Sequence, residues 1–299
     1  MYRLMILIAV LALVLTACGG TPASDTGTTA PVILASTTFL ADITRNVAGD
    51  RVDVVSLLPV GTDPHSYQPI PQDVTKIERS KLLIINGAEY EHFLEPLLEN
   101  AVGERTIIEA SAGLSLRDEA ESDHGVDPHL WIDPNNVITY VENIRKGLTY
   151  FDPDGAAIYQ ANAGAYEAEL KNLDAWIVEQ VDQIPVEKRL LVTNHEAMGY
   201  FADRYGFTII GTVIESFSTD ASPSARQMAD LVNQIKASGA SAIFLDASDN
   251  TALAQQIADE TGIRVITDLH LESLTDGAPA ATYIDMMKHN VTQIVNALK

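Results

Sequence analysis

The sequence carries a single cysteine, Cys18, among 299 residues. No internal disulfide can form and no thiolate set can hold a cation, so any bound metal must be held by imidazole and carboxylate. Basic side chains are scarce as well: 19 Lys and Arg stand against 41 Asp and Glu, for a net charge of −22. A surface this acidic repels phosphate backbones and anionic lipid, which argues against nucleic acid as a partner, and it concentrates cations near the protein. A long apolar run is also missing, since the stretch from Leu4 to Leu15 is too short and too early to span a bilayer as a mature helix. Nucleophile motifs around Ser or Cys do not stand out. The pair His195-Glu196 lacks the second histidine of H-E-x-x-H, because position 199 is Gly199, so a zincin-type zinc-dependent hydrolase is disfavoured.

Met1-Tyr2-Arg3 and the apolar run after it read as a secretory signal over residues 1–17. Leu15-Thr16-Ala17-Cys18 resembles the lipobox of bacterial lipoproteins, which implies that Cys18 is lipidated and becomes the first mature residue. The chain would then be exported and lipid-anchored to the outer face of the cytoplasmic membrane, at the cell surface or in the periplasm. Residues 18–31 are small and polar and read as a flexible tether.

From residue 32 onward short apolar strands alternate with helical patterns, which predicts an α/β fold with mostly parallel sheets. Strands are expected near 32–36, 52–58, 82–85 and 106–110, then near 190–193, 208–213, 242–245 and 265–267. Between the two groups Tyr159, Ala163, Tyr166, Leu170, Leu173, Ile177 and Val181 recur every three or four residues, the apolar face of one long helix from about Gly155 to Gln183. Its length and its few expected internal partners suggest a strut. The predicted organisation is an N-terminal α/β lobe over 32–152, a linking helix over 153–187 and a C-terminal α/β lobe over 188–299. Such lobes place ligands at the carboxyl ends of their strands, facing the crevice.

Of the seven histidines, three sit where strand ends meet loops. His65 lies in Gly61-Thr62-Asp63-Pro64-His65 and His129 in Asp127-Pro128-His129-Leu130-Trp131-Ile132-Asp133-Pro134. Proline stiffens both turns and pushes the preceding aspartate towards extended geometry, so each imidazole is mounted without freedom to wander. His195 follows the strand 190–193 at the equivalent place in the second lobe. His92 and His289 read as solvent-facing, and His270 remains a minor candidate. His124 sits in the acidic loop 115–126, where it could collect metal weakly. A fourth ligand should be a carboxylate that offsets the ion's charge, and Asp268, Glu272 and Asp276 all follow the strand ending near Thr267. Three imidazoles and a carboxylate favour a first-row transition ion over Ca²⁺ or Mg²⁺, and imidazole suits zinc.

Four ordered stretches, 61–69, 127–134, Asn194-His195-Glu196-Ala197-Met198-Gly199-Tyr200-Phe201 with its continuation to Gly206, and 281–290, resemble the zinc and manganese solute-binding lipoproteins of ABC importers. The likeness spans the whole mature domain. It implies two lobes on one backbone helix, a metal site in the interlobe cleft, and ligands His65, His129, His195 and Glu272, with Asp268 and Asp276 as alternatives to the last. Glu272-Ser273-Leu274 stands eleven residues before Tyr283, one fewer than the family spacing, with glutamate where aspartate is common. The histidine-rich loop of some zinc-specific members is absent, whereas manganese-type members often have a carboxylate at the place of His195. The three nitrogens favour Zn²⁺, with Mn²⁺ as the alternative, and four protein groups around the ion disfavour catalysis; the resemblance implies a membrane ABC permease as partner, and a monomer is expected. Less favoured readings are a binding protein for an iron chelate or cobalamin, and a secondary adhesin role.

Overall fold

The computed structural model describes residues 32–117 and 125–299. Cys18, the lipobox, the tether and His124 lie outside the described residues.

The first half begins with β1 (Ile33–Ala35), buried along its whole length, and α1 (Thr38–Ala48), whose first turn is capped by Thr37 Oγ1 accepting from Leu40 N at 3.4 Å. Then follow β2 (Val54–Ser56), α2 (Pro71–Arg79), β3 (Leu82–Ile85), α3 (Glu95–Asn100) and β4 (Thr106–Glu109). After the loop carrying His129 comes α4 (Pro134–Phe151), with proline at its first position and Asp133 Oδ1 accepting from Asn135 N at 2.9 Å. The second half contains β5 (Leu190–Thr193), α6 (Gly199–Tyr205), β6 (Thr208–Thr212), α7 (Ala225–Ser238), β7 (Ala242–Asp246), α8 (Ala252–Thr261), β8 (Arg264–Leu269) and α9 (Tyr283–Leu298). Between the halves runs α5 (Ala156–Val181).

The strands form two four-stranded sheets of order β2-β1-β3-β4 and β6-β5-β7-β8, with every pair parallel. Identical order in both sheets makes the halves similar α/β lobes, as the βα rhythm of the sequence implies. Their strand order reverses beside β1 and beside β5, the kind of place where loops leave room for a ligand.

At 26 residues α5 spans about 39 Å at 1.5 Å per residue. All seven apolar-face residues named from the sequence are buried. The expectation of few partners is corrected, however: α5 lies against α1 and α4 of the first half and α9 of the second. In its C-terminal third Asp174 accepts from Asn135 Nδ2 of α4 at 3.0 Å, from Arg204 Nη2 of α6 at 2.6 Å and from the Tyr205 hydroxyl at 2.9 Å. The helix is therefore seated on both lobes and not suspended between them, because its apolar stripe is wide enough to need cover along its length.

Helix α7 begins at Ala225, because Ser224 is its cap and pairs reciprocally with Gln227. One strand boundary also differs from the sequence reading. The strand expected over 265–267 extends to Leu269, which pairs with Asp246 beyond an irregularity in β7.

Candidate metal centre

Four loops beyond the carboxyl ends of β2, β4, β5 and β8 bring His65, His129, His195 and Glu272 together, with one ligand-capable atom from each lying within 4.8 Å of the others. Glu272 Oε1 is 3.3 Å from His129 Nε2, 3.3 Å from His195 Nε2 and 3.9 Å from His65 Nε2. The two nitrogens of His129 and His195 are themselves 3.3 Å apart. His129, His195 and Glu272 are at most 2% exposed, and the His65 side chain is 6% exposed. Among the described residues the buried His65 Nε2 and Glu272 Oε1 have no hydrogen-bond partner, meeting their neighbours only as close polar contacts. A polar group left so in the interior is costly unless something else satisfies it, and a cation between these atoms would do that.

The His129 ring is fixed from behind, and the turns that carry His65 and His195 are fixed at their backbone. Asp127 Oδ1 accepts from His129 N at 3.0 Å and lies 2.9 Å from Nδ1, which turns Nε2 towards the centre. The backbone carbonyl of Asp127 accepts from the Tyr200 hydroxyl at 2.9 Å, a contact between the lobes. Asp63 repeats the turn around His65: Oδ1 accepts from His65 N at 2.9 Å, while Oδ2 accepts from Ser66 Oγ at 2.9 Å and from Thr219 Oγ1 of the second lobe at 2.6 Å. The backbone carbonyl of His195 accepts from Thr193 Oγ1 at 2.8 Å.

Glu272 is held at both ends. Tyr90 donates to Oε2 at 2.6 Å, leaving Oε1 for the three imidazoles. On the main chain, Asp246 Oδ2 accepts from Glu272 N at 3.3 Å, and Trp131 Nε1 donates to Leu271 O at 2.8 Å across the lobes. Ser273 Oγ accepts from Gly61 N at 2.8 Å, and Thr38 Oγ1 accepts from Leu274 N at 2.8 Å. The loop that carries the carboxylate is thus pinned to the opposite lobe on both sides of Glu272.

Burial alone would raise the Glu272 carboxyl, but the positive charge of His129 and the contacts from His129 and His195 hold it well below the ordinary range. For His129 burial works against the proton, yet Glu272 and Asp127 on either side push its pKa up. His65 is pushed down by burial and by the positive charge of His129. The two carboxylates on either side of His129 thus both favour positive charge at the centre of the cluster.

The two alternatives to Glu272 lie elsewhere. Asp276 is exposed, and Asp268, at the end of β8 with a side chain 59% exposed, faces His270 and His289. His92 is exposed beside Glu95. The expectation that His289 faces solvent is corrected: its side chain is 14% exposed, because α9 lies over β8 and presses that face against the Asp268 carbonyl. Tyr90 and Asp246 were not singled out from the sequence. Their contacts reach across 182 and 26 residues respectively, and no local spacing encodes them.

Two parallel-sheet lobes on a shared helix, with three imidazoles and a carboxylate converging between them, define a metal-binding protein of the cleft type. The chain belongs to the family described as zinc-uptake complex component A, periplasmic, which matches residues 33–297. It is 36% identical over 296 residues to the manganese-binding lipoprotein MntA of Halalkalibacterium halodurans, covering 97% of this chain and 96% of the relative. Its fold is similar to the periplasmic zinc-binding protein TroA from Treponema pallidum, at a TM-score of 0.83 and 27% identity over 90% of this chain and 99% of that one. It is likewise similar to the Mn-bound periplasmic metal-binding protein from Candidatus Liberibacter asiaticus, at a TM-score of 0.80 and 31% identity over 90% and 100%.

Proposed function

We propose that this chain is the extracytoplasmic substrate-binding lipoprotein of an ABC importer, and that its cargo is a divalent transition metal held by His65, His129, His195 and Glu272. The observation that carries the reading is the convergence of four buried donor atoms within 4.8 Å. A tetrahedral ion with bonds of about 2.1 Å sets neighbouring donors about 3.4 Å apart, and three of the separations here are 3.3 Å. That match and the three nitrogens favour Zn²⁺. Mn²⁺ is the second reading, favoured by the relatives whose names specify manganese; it would bind more weakly at the same donors.

Four protein groups around one ion leave no open position for a reacting water, so the protein stores and hands over its cargo and does not catalyse. The anchor in this reading is a lipid on Cys18 after removal of residues 1–17, with 18–31 as tether. Among the described residues no helix is long and apolar enough to cross a membrane. The working unit is a monomer that docks on a membrane permease, and no nucleic acid takes part.

Metal analysis of protein purified without added metal, followed by competition between Zn²⁺ and Mn²⁺, tests the reading. One tightly held equivalent of zinc in the protein as purified, lost on replacing any of the four ligands, is expected. Uptake unaffected by all four replacements, or metal-dependent hydrolytic turnover, would refute it. Binding should also release protons, because His129 must give up the one it is disposed to carry.

A further inference from the structure

A second group of donors stands apart from the cleft. Asp268 and His270 are two residues apart at the end of β8 and so share a face of the chain, and α9 lays His289 over them. One ligand-capable atom from each lies within 4.8 Å of the other two. Asp268 Oδ2 is 3.3 Å from His289 Nε2, Asp268 Oδ1 is 3.8 Å from His270 Nε2, and the two rings are 5.4 Å apart between centroids. His270 is held by its backbone: Asn290 Oδ1 accepts from its N at 2.8 Å and Asn290 Nδ2 donates to its carbonyl at 2.7 Å. Its Nε2 is buried and has no hydrogen-bond partner among the described residues, with the ring 11% exposed and Nε2 facing Asp268. A buried, unsatisfied ring nitrogen on a clamped backbone is what a ligand position requires, and what a solvated surface histidine does not show.

We infer that Asp268, His270 and His289 form a second site for a late first-row divalent cation such as Zn²⁺. Two imidazoles and one carboxylate suit a borderline-soft ion, with water completing the coordination. The site is weaker than the cleft. It offers three protein donors instead of four, and Asp268 is more than half exposed and must close by a few tenths of an ångström on His270. His289 Nε2 must also release the Asp268 carbonyl, 2.6 Å away. An ion here would join the end of β8 to α9 just ahead of Glu272.

Zinc is titrated into the metal-free full chain by equilibrium dialysis with metal analysis, for wild type, His289→Ala, Asp268→Asn and His195→Ala. Two equivalents are expected in wild type, the second at least tenfold weaker. His289→Ala and Asp268→Asn should lose only the second, each by about tenfold or more in affinity, and His195→Ala should lose only the first. Co²⁺ absorption follows each site separately, and thermal unfolding confirms that each variant folds. A single equivalent in wild type would reduce the cluster to a histidine–aspartate hydrogen bond and overturn the inference. A second equivalent that survives both the His289 and Asp268 replacements would overturn it too, as adventitious binding to the acidic surface. Because His195→Ala separates the sites, failure here leaves the reading of the cleft standing.

Discussion

Asp127→Asn isolates the contribution of a group that never touches the cargo. Asp127 is 1% exposed, and its Oδ1 faces His129 twice, at 3.0 Å from the backbone nitrogen and 2.9 Å from Nδ1. Asparagine keeps an acceptor in that place but removes the charge. A hydrogen bond to a charged group contributes about 1.5–3 kcal/mol against about 1 kcal/mol for a neutral one. Losing the charge at both contacts should therefore weaken the ring's support by roughly 2 kcal/mol, a factor of about 30 in affinity. The group also favours a proton on His129, which competes with the metal. Removing it eases that competition, so the loss should be fullest near pH 8 and smaller near pH 6. Competition against a chromogenic chelator at both pH values, with Zn²⁺ and with Mn²⁺, measures this. Equal affinities of wild type and variant at pH 8 would refute the reasoning, as would a loss that grows towards acid.

Replacing Glu272 by Ala should lower metal affinity by roughly a hundredfold or more, whereas Asp276→Ala should leave the cleft site unchanged; tight binding surviving in the Glu272 variant would move the fourth ligand elsewhere. Glu91 is a buried carboxyl that accepts from Ser36 Oγ at 2.7 Å and Asn86 N at 2.6 Å, and burial raises its pKa to about 7. A raised acid favours folding fully below its unfolded value near 4.5 and loses that contribution as pH rises to about 7, some 3 kcal/mol in all. Unfolding in denaturant at pH 5 and pH 8 should show this slope in wild type and its loss in Glu91→Gln; equal slopes would exclude Glu91 as the cause. Gly164 lies on the exposed side of α5 with open space where a Cβ would stand. Gly164→Ala should stabilise by about 0.4–1 kcal/mol and raise Tm by a few degrees, and a lower Tm would show that the helix does not tolerate a regular backbone there.

What could be read from the sequence follows the range of the interactions involved. The strands, the apolar stripe of α5 and the stiffened turns around His65 and His129 are local patterns, of short continuous apolar runs, of period three to four, and of proline next to aspartate, so they are legible. The choice of Glu272 over Asp268 and Asp276 is different. It depends on Tyr90, Asp246, Trp131 and Thr38, brought to that loop by chain folding over 26 to 236 residues. Three acidic residues within nine positions look alike until those partners are in place. The inward turn of His289 was hidden for the same reason, since it follows from the seating of α9 on β8 and not from the helix's own pattern.

The seating of α5 also decides what can move when the cargo leaves. Swinging the lobes apart as whole bodies would strip seven side chains from Tyr159 to Val181 off their neighbours, a cost on the order of 10–20 kcal/mol at about 1.5–3 kcal/mol each. Lifting the 270–276 loop breaks a handful of hydrogen bonds, such as those from Gly61, Leu274 and Trp131, each contributing about 1 kcal/mol net, and uncovers just two buried apolar side chains, Leu271 and Leu274, at about 1.5–3 kcal/mol each. The compliance of the molecule is therefore concentrated in its short ligand-bearing loops. In the proposed role, release of the ion needs only that single edge to lift, which leaves the frame behind it unstrained and ready to close on the next ion.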